Sequence, residues 1–385
     1  MERHDAIVVG LGAHGSAAAA ELARRGLAVL GLERFGRGET MGSSGGRSRM
    51  IRLAHYERPS YVDLARASWE RWRRLEAETG LAVLTPTPGL YAGPAASDVV
   101  AGSLAAARAG AVSHEILDAA AIHARWPVFH PAEDTVGVVD VEAGVLRADR
   151  ANDAHRLVAE RAGATLRFGV RVVAWRPASG GGFEVEMAGG SVTGAEHLVL
   201  AAGPWLRALV PDLDLPLGVE RQPVFWLEPA PDAATAAELA LDRMPLWLWA
   251  TDAGTFYGFP RDDELGWKVA RHHGGAVAEP ESVDRRIAPA DEAVVRTFVR
   301  ERMPSMDGPI GGSTVCLYTN TPDDEFVVDR HPAAPGVAFA SACSGHGFKF
   351  APLVGEMLAD LATGAPSPWS LGPFRADRFR GSISG

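Results

Sequence analysis

The sequence predicts an α/β chain, α+β overall, made of a doubly wound parallel-sheet unit and a discontinuous antiparallel-sheet unit. Three observations carry this. A β-α-β pattern fills the first 33 residues, strand-like runs return near residues 165 to 203, and the stretches between them carry Pro-rich turns and aromatic strands instead. With 385 residues, 47% of them apolar, the chain has enough material for two cores at about 100 to 200 residues per domain.

The elements follow in order. Ala6-Ile7-Val8-Val9 is a continuous β-branched run, as expected of a strand buried on both faces. Ser16 to Arg25 reads as a helix of about three turns stopped by Gly26, and Ala28 to Leu32 as the second strand, ending in Glu33. Ala151 to Ala162 is helix-like, and Val170 to Trp175, Phe183 to Met187 and Leu198 to Gly203 are strand-like. Residues 81 to 145 and 216 to 319 bear aromatic strands such as Pro245 to Ala250 and Phe256-Tyr257-Gly258-Phe259, which predict the antiparallel sheet. Pro352 to Ala362 is an amphipathic helix ended by Gly364. The expected division is 1–80, 146–215 and 320–385 for the first domain, with 81–145 and 216–319 for the second.

Composition narrows the function. A formal net charge of −10 argues against a broad basic face, so no nucleic-acid partner is expected. Cys316 and Cys343 are too few for a disulfide framework or a structural zinc site, so no metal and a reducing compartment are expected. No uncharged apolar run approaches the 18 or so residues of a membrane span. No secretory signal precedes the first strand, and Ser382-Ile383-Ser384-Gly385 is no peroxisomal address. The expected location is the cytoplasm. Glycine, at 43 residues, exceeds the usual share of about 7%, which points to close backbone approaches.

Gly10-Leu11-Gly12-Ala13-His14-Gly15 is a G-x-G-x-x-G turn between strand and helix, with Glu33 at the end of the next strand. The first glycine permits the turn, the second lets backbone N–H groups approach a pyrophosphate, and the third allows close helix–strand packing. Glu33 can accept ribose hydroxyls and disfavours a 2′-phosphate, which leaves NAD and FAD both open. A second cluster, Met41-Gly42-Ser43-Ser44-Gly45-Gly46-Arg47-Ser48-Arg49-Met50-Ile51-Arg52, offers further backbone donors. Arg49 and Arg52 would project to one side if that segment turned helically.

Cys316-Leu317-Tyr318-Thr319-Asn320-Thr321-Pro322-Asp323 and Ser344-Gly345-His346-Gly347-Phe348-Lys349 complete a pattern that covers essentially the whole chain. It resembles the monomeric sarcosine oxidase and N-methyltryptophan oxidase family, flavoenzymes of the D-amino-acid-oxidase-like superfamily. The resemblance implies a Rossmann-type FAD domain beside an antiparallel-sheet substrate domain, a monomer, and oxidation of a secondary or tertiary amine to an imine with oxygen reduced to hydrogen peroxide. It further implies FAD bound covalently through Cys316, and Lys268 as the cation that activates oxygen. Arg52, Lys349 and Tyr318 would bind the carboxylate of a small amine substrate, with His272 and Tyr257 on its amine side. Arg49 joins Lys268, Lys349, His272 and Tyr318 as a catalytic candidate. Contacts to the cofactor are implied for Gly10, Gly12, Ala13, His14, Gly15, Glu33, Arg34, Ser43, Ser44, Arg49, Val172, Ala202, Gly203, Trp205, Cys316, Gly345, Gly347, Phe348 and Lys349.

The chain departs from the pattern at Gly45, where relatives commonly carry His against the flavin edge, and at Arg47-Ser48, where they carry Asp-Thr. Cys343 stands where an aromatic residue is usual and is expected to serve packing. Trp226, Trp247, Trp249 and Trp267 would suit a large, flat amine if they face the pocket. Alternatives are a biosynthetic amine oxidase or dehydrogenase acting on a larger secondary-metabolite intermediate, an NAD-dependent dehydrogenase sharing the glycine fingerprint, and a non-catalytic flavin-bearing assembly partner.

Overall fold

In the computed structural model, which describes residues 2–39, 41–230, 240, 243–261 and 265–379, strand Arg3–Val9 lies at the middle of a parallel sheet. It pairs on one side with Val29–Leu32 and on the other with Val192–Leu200, which continues in parallel to Val337–Ser341. Thr165–Arg167 extends the Val29–Leu32 side in parallel. Val172–Pro177, Phe183–Met187 and Val327–Arg330 add antiparallel margins. The last four residues of Arg3–Val9 and all of Val29–Leu32 are buried, as continuous apolar runs in a sheet covered on both faces should be.

Helices Ala13–Arg24, Ala148–Arg161 and Ala351–Thr363 pack together on this sheet. Gly355 makes the close approach possible, because a Cβ there would fall 2.6 Å from the Ala17 Cβ. The first helix starts three residues earlier than the sequence suggests, since the glycine turn runs directly into it.

The second sheet takes its strands from two separate stretches. Its order is Ile310–Asn320, Gly218–Leu227, Trp267–His272, Gly254–Phe259, Leu246–Thr251, Gly89–Pro94, Thr135–Asp140 and His114–Asp118. Every neighbouring pair is antiparallel except Leu246–Thr251 with Gly89–Pro94, where the two stretches meet in parallel. Side chains alternate faces along a strand, so Trp267–His272 sends Lys268, Ala270 and His272 one way and Trp267 and Val269 the other. Trp267, Trp247, Trp249 and Phe256 therefore form a core with Phe298 of helix Pro289–Arg302, the Phe256 and Phe298 rings stacked at 4.4 Å. Trp247, Trp249 and Trp267 thus face a core and do not meet the condition of facing the pocket. Trp226 alone of the four shares the face of Lys268, whose Nζ lies 5.9 Å from its ring.

A third sheet joins Ser48–Ile51, Gly144–Arg147 and Leu84–Pro86. Arg49 therefore sits on a strand, with Arg52 immediately beyond it, so the helical turn that would have put both on one side does not form. The longest helices that went unread in the sequence are Tyr61–Thr79, Asp98–Ala109 and Pro289–Arg302. Their signals are present in Gly80 as a left-handed cap, Ser97 capping Val100 N–H, and Pro289 in the first turn. Among the described residues no helix is long and apolar enough to cross a membrane. The terminal Ser382 to Gly385 lies outside the described residues.

Candidate active site

The glycine turn at the end of Arg3–Val9 is closed by backbone contacts. Gly10 has φ +88°, and a Cβ on it would lie 2.5 Å from Ala201 O. A Cβ on Gly15 would lie 1.8 Å from Gly10 O, so only glycine fits. Gly12 faces Ser44, whose Oγ accepts the Ala13 N–H at 3.0 Å. The N-cap residue Gly12 has no side chain to cap helix Ala13–Arg24 and its first turn holds no acidic residue, so beyond the one N–H taken by Ser44 its N-terminus is available to an anion. Glu33 accepts N–H bonds from Leu11 (2.7 Å) and Phe35 (3.1 Å), so ribose would have to use the remaining lone pairs of a carboxylate already fixed by the backbone.

Ser43, Val172, Ala202, Gly203, Trp205 and Phe348 line the cleft that continues from this turn, and so does Cys343, expected to be a packing residue. The Cys343 Sγ takes the Thr319 N–H at 3.5 Å. Arg34 also borders the cleft, but its guanidinium is committed to both oxygens of Glu281 at 2.7 Å and stacks over Phe35 and Trp205. Gly347 is required by packing, since a Cβ would meet Ala342 O at 1.7 Å. His14 Nε2, Ser43 Oγ and Asn152 Oδ1 are buried without a protein partner. Burial lowers the His14 pKa to about 4, which keeps the ring neutral. A glycine cradle at a helix N-terminus, with orphaned polar atoms along its walls, fits a dinucleotide such as FAD.

A second cluster converges on Gly46, at φ +87°. From the position of its missing Cβ, Cys316 Sγ is 3.2 Å away, Arg49 Nη1 3.3 Å and Lys268 Nζ 3.7 Å. Lys268 donates to Gly46 O and Ser48 O, both at 2.8 Å, and its ammonium lies 4.9 Å from the Phe259 ring centre. Arg49 donates to Ser48 O, Ser43 O and Gly45 O. Residues from strands more than 200 positions apart thus meet around one glycine that the sequence reading did not single out.

A third cluster is a chain of charges. Arg52 Nη2 contacts both oxygens of Glu57, and its Nε and Nη1 are buried without a partner. His55 Nδ1 lies 2.7 Å from Glu57 Oε2, and His55 Nε2 lies 3.3 Å from Lys349 Nζ. Burial, reinforced by Arg52, holds Lys349 well below its ordinary pKa. Burial would raise Glu57, but Arg52, His55 and His346 together hold it well below the usual carboxylate range. His55, Glu57 and His346 place three ligand-type atoms within 4.8 Å of one another. Arg52 and Lys349 pressed against them oppose a divalent ion, so the group is better described as a hydrogen-bonded relay.

Beside it, His272 Nδ1 lies 3.2 Å from Tyr318 Oη, and the Tyr257 ring lies edge-on to His272 at 6.1 Å between centres. A Cβ on Gly345 would strike both His272 and Tyr318 at 2.8 Å, so that glycine lets the two rings close together. Burial raises Tyr257 to about 12 and holds His272 well below its ordinary value. The sequence reading missed His55, Glu57 and Glu281, and held Gly46 and His346 only as members of longer motifs. One unused signal was composition: only two of the 38 Lys and Arg residues are lysines, Lys268 and Lys349, and both are 2% exposed in this site. At those two positions the chain keeps a compact ammonium where guanidinium serves everywhere else.

A dinucleotide cleft that runs up to a buried cluster of cations defines a flavin-type oxidoreductase. The sequence matches the FAD dependent oxidoreductase family over residues 5–361, and the chain belongs to that family. It is 38% identical to monomeric sarcosine oxidase of Streptomyces avermitilis over 98% of both chains. It is 31% identical to N-methyl-L-tryptophan oxidase of Salmonella dublin, over 98% of this chain and 99% of the relative. The fold is also that of NikD, an amino acid oxidase of nikkomycin biosynthesis, with a TM-score of 0.85 at 24% identity over 97% of this chain and 98% of the other.

Proposed function

We propose that this chain oxidises the C–N bond of a small N-methyl or cyclic secondary amino acid, with oxygen as the acceptor. The observation that carries this is the convergence of Cys316, Arg49 and Lys268 on Gly46, next to the Arg52–Glu57–His55–Lys349 chain. Relatives named for sarcosine and N-methyl-L-tryptophan support the substrate class.

FAD, when bound, supplies the two-electron acceptor that takes a hydride equivalent from the amine and passes the electrons to oxygen. The residues do the rest. Arg52, with two unpartnered buried nitrogens, and Lys349 receive the substrate carboxylate. Tyr257, Tyr318 and His272 are held neutral at neutral pH and border the amine, and a positive surround favours the neutral amine over its ammonium form. Lys268 offers a fixed cation to the charge that develops as oxygen is reduced. Cys316 holds the flavin through a thioether. Residues 1–80, 146–215 and 320–385 form the flavin domain and 81–145 with 216–319 the substrate domain. Two unpaired cysteines suit a reducing cytoplasm, and the chain acts as a monomer.

Acid precipitation followed by a peroxide assay over an amine panel tests the reading. A yellow pellet, lost in Cys316→Ser, together with peroxide from sarcosine or N-methyl-L-tryptophan, is expected. A yellow pellet that survives Cys316→Ser would refute the attachment site, and peroxide from none of the amines would refute the activity.

A further inference from the structure

Protonated, Lys349 has three N–H donors, and the protein takes two of them. One goes to His346 O and the other points at His55 Nε2, 3.3 Å away. The backbone of Lys349 is itself held, since Trp72 Nε1 donates to Lys349 O at 2.9 Å. A side chain 2% exposed and bound at two of three donors has one direction left for a ligand.

His55 can accept from Lys349 only as the tautomer protonated at Nδ1. That nitrogen lies 2.7 Å from Glu57 Oε2, close enough for the carboxylate's negative charge to favour the proton on Nδ1. The ring is fully buried and fixed by neighbours on every side: Tyr61 at 4.8 Å, His346 at 5.2 Å and Phe350 at 5.6 Å between ring centres. A buried histidine so placed, from the loop that follows Ser48–Ile51, reaches a lysine nearly 300 residues later in the chain.

We propose that His55 is a positioning residue: it aims the Lys349 ammonium, so that the third N–H is directed to the flavin and substrate carboxylate. The proposal rests on the reading of Lys349 given above. It also assigns Glu57 a role besides pairing with Arg52, that of fixing the His55 tautomer. Neither His55 nor Glu57 needs to touch the reacting atoms for this.

Two conservative variants separate aiming from packing. Gln places its carbonyl oxygen near the Nε2 position and can still accept from Lys349, whereas Asn reaches only the Nδ1 position. The holoenzyme would be assayed with sarcosine and N-methyl-L-tryptophan. The dissociation constant for sulfite, an anion whose binding to the bound flavin reports nearby positive charge, would be measured in parallel. His55→Asn and His55→Leu should lower kcat/KM and weaken sulfite binding about tenfold, the size expected when a hydrogen bond to a charged group is lost. His55→Gln should recover most of both. In a Lys349→Met background, His55→Leu should have no further effect on sulfite binding. Equal losses in the Gln and Asn variants, or additive losses in the double variant, would overturn the proposal while leaving Lys349 in the site. An unchanged enzyme after Lys349→Met would overturn the parent reading as well as this one.

Discussion

The dinucleotide cleft and the substrate-side cluster are built from different materials. The cleft is backbone: Gly10, Gly12 and Gly15 make way for N–H groups, and even Glu33 is fixed by main-chain donors. The cluster is side chain: Arg52, Glu57, His55 and Lys349 hold one another through charge and hydrogen bonds, and Cys316, Arg49 and Lys268 meet around Gly46. Backbone geometry tolerates no added atom, whereas a side-chain network can lose a member and leave the fold standing. The first region should therefore fail in folding and cofactor retention, and the second in chemistry.

The largest expected effect breaks the backbone side. Gly15→Val puts atoms where Gly10 O already lies, 1.8 Å from the Cβ position, and should destabilise the protein by about 3 kcal/mol or abolish FAD retention. Flavin content by absorbance and the unfolding midpoint read this directly; a stable, yellow Gly15→Val protein would mean that the cleft is not closed by backbone contact.

Acid pH gives an intermediate effect and reaches both regions. Burial lowers His14 to about 4 and His155 to about 3, and His346 to about 4 despite Glu57. An unfolded histidine binds its proton below about 6.5. Between that value and the folded values the unfolded state holds more protons, so stability falls as pH drops from about 6.5 towards 4. His14→Met should remove up to one proton from that dependence, about 1.4 kcal/mol per pH unit in the steep range. Urea unfolding at pH 7, 6 and 5 would show it, and an unchanged slope would mean that His14 is not held neutral by the cleft.

The smallest effect belongs to a side-chain clasp at the edge of the cleft. Glu281 joins Arg34 from the segment between Trp267–His272 and Pro289–Arg302, and both line the cleft. The pair is partly exposed, so Glu281→Gln should change affinity by less than about 1 kcal/mol. In a Cys316→Ser background, release of fluorescent FAD should quicken only a few-fold and with weaker salt dependence. A loss of binding as large as that from Gly15→Val would erase the contrast between the two regions.

The difference in material also explains what was legible. The β-α-β unit, its glycine turn and Glu33 lie within 33 consecutive residues, and their roles follow from local backbone rules. Lys268, Cys316, Tyr318 and Lys349 were singled out through family resemblance; of these only the two lysines also carry a signal of their own, their scarcity in an arginine-rich chain. His55 and Glu57 carried no local signal, and the Arg49–Arg52 spacing stayed conditional: a strand lies where a helical turn would have put both on one side. The tryptophans stayed open for a related reason: composition counts aromatic residues but does not say which face of a sheet they take.

By itself, then, the amino-acid order determined the parallel-sheet unit, the dinucleotide turn, the presence of a second, aromatic sheet, and the two lysines that stand out against an arginine-rich background. Local steric rules act over a few residues, and those features are local. The tertiary structure alone decided that Gly46 would gather a cysteine, an arginine and a lysine from distant strands. It also decided that Trp247, Trp249 and Trp267 would face a core, and that His55 would stand between Glu57 and Lys349. Those outcomes depend on how two sheets and a loop come together, and Coulomb and packing forces between groups far apart in sequence set that arrangement.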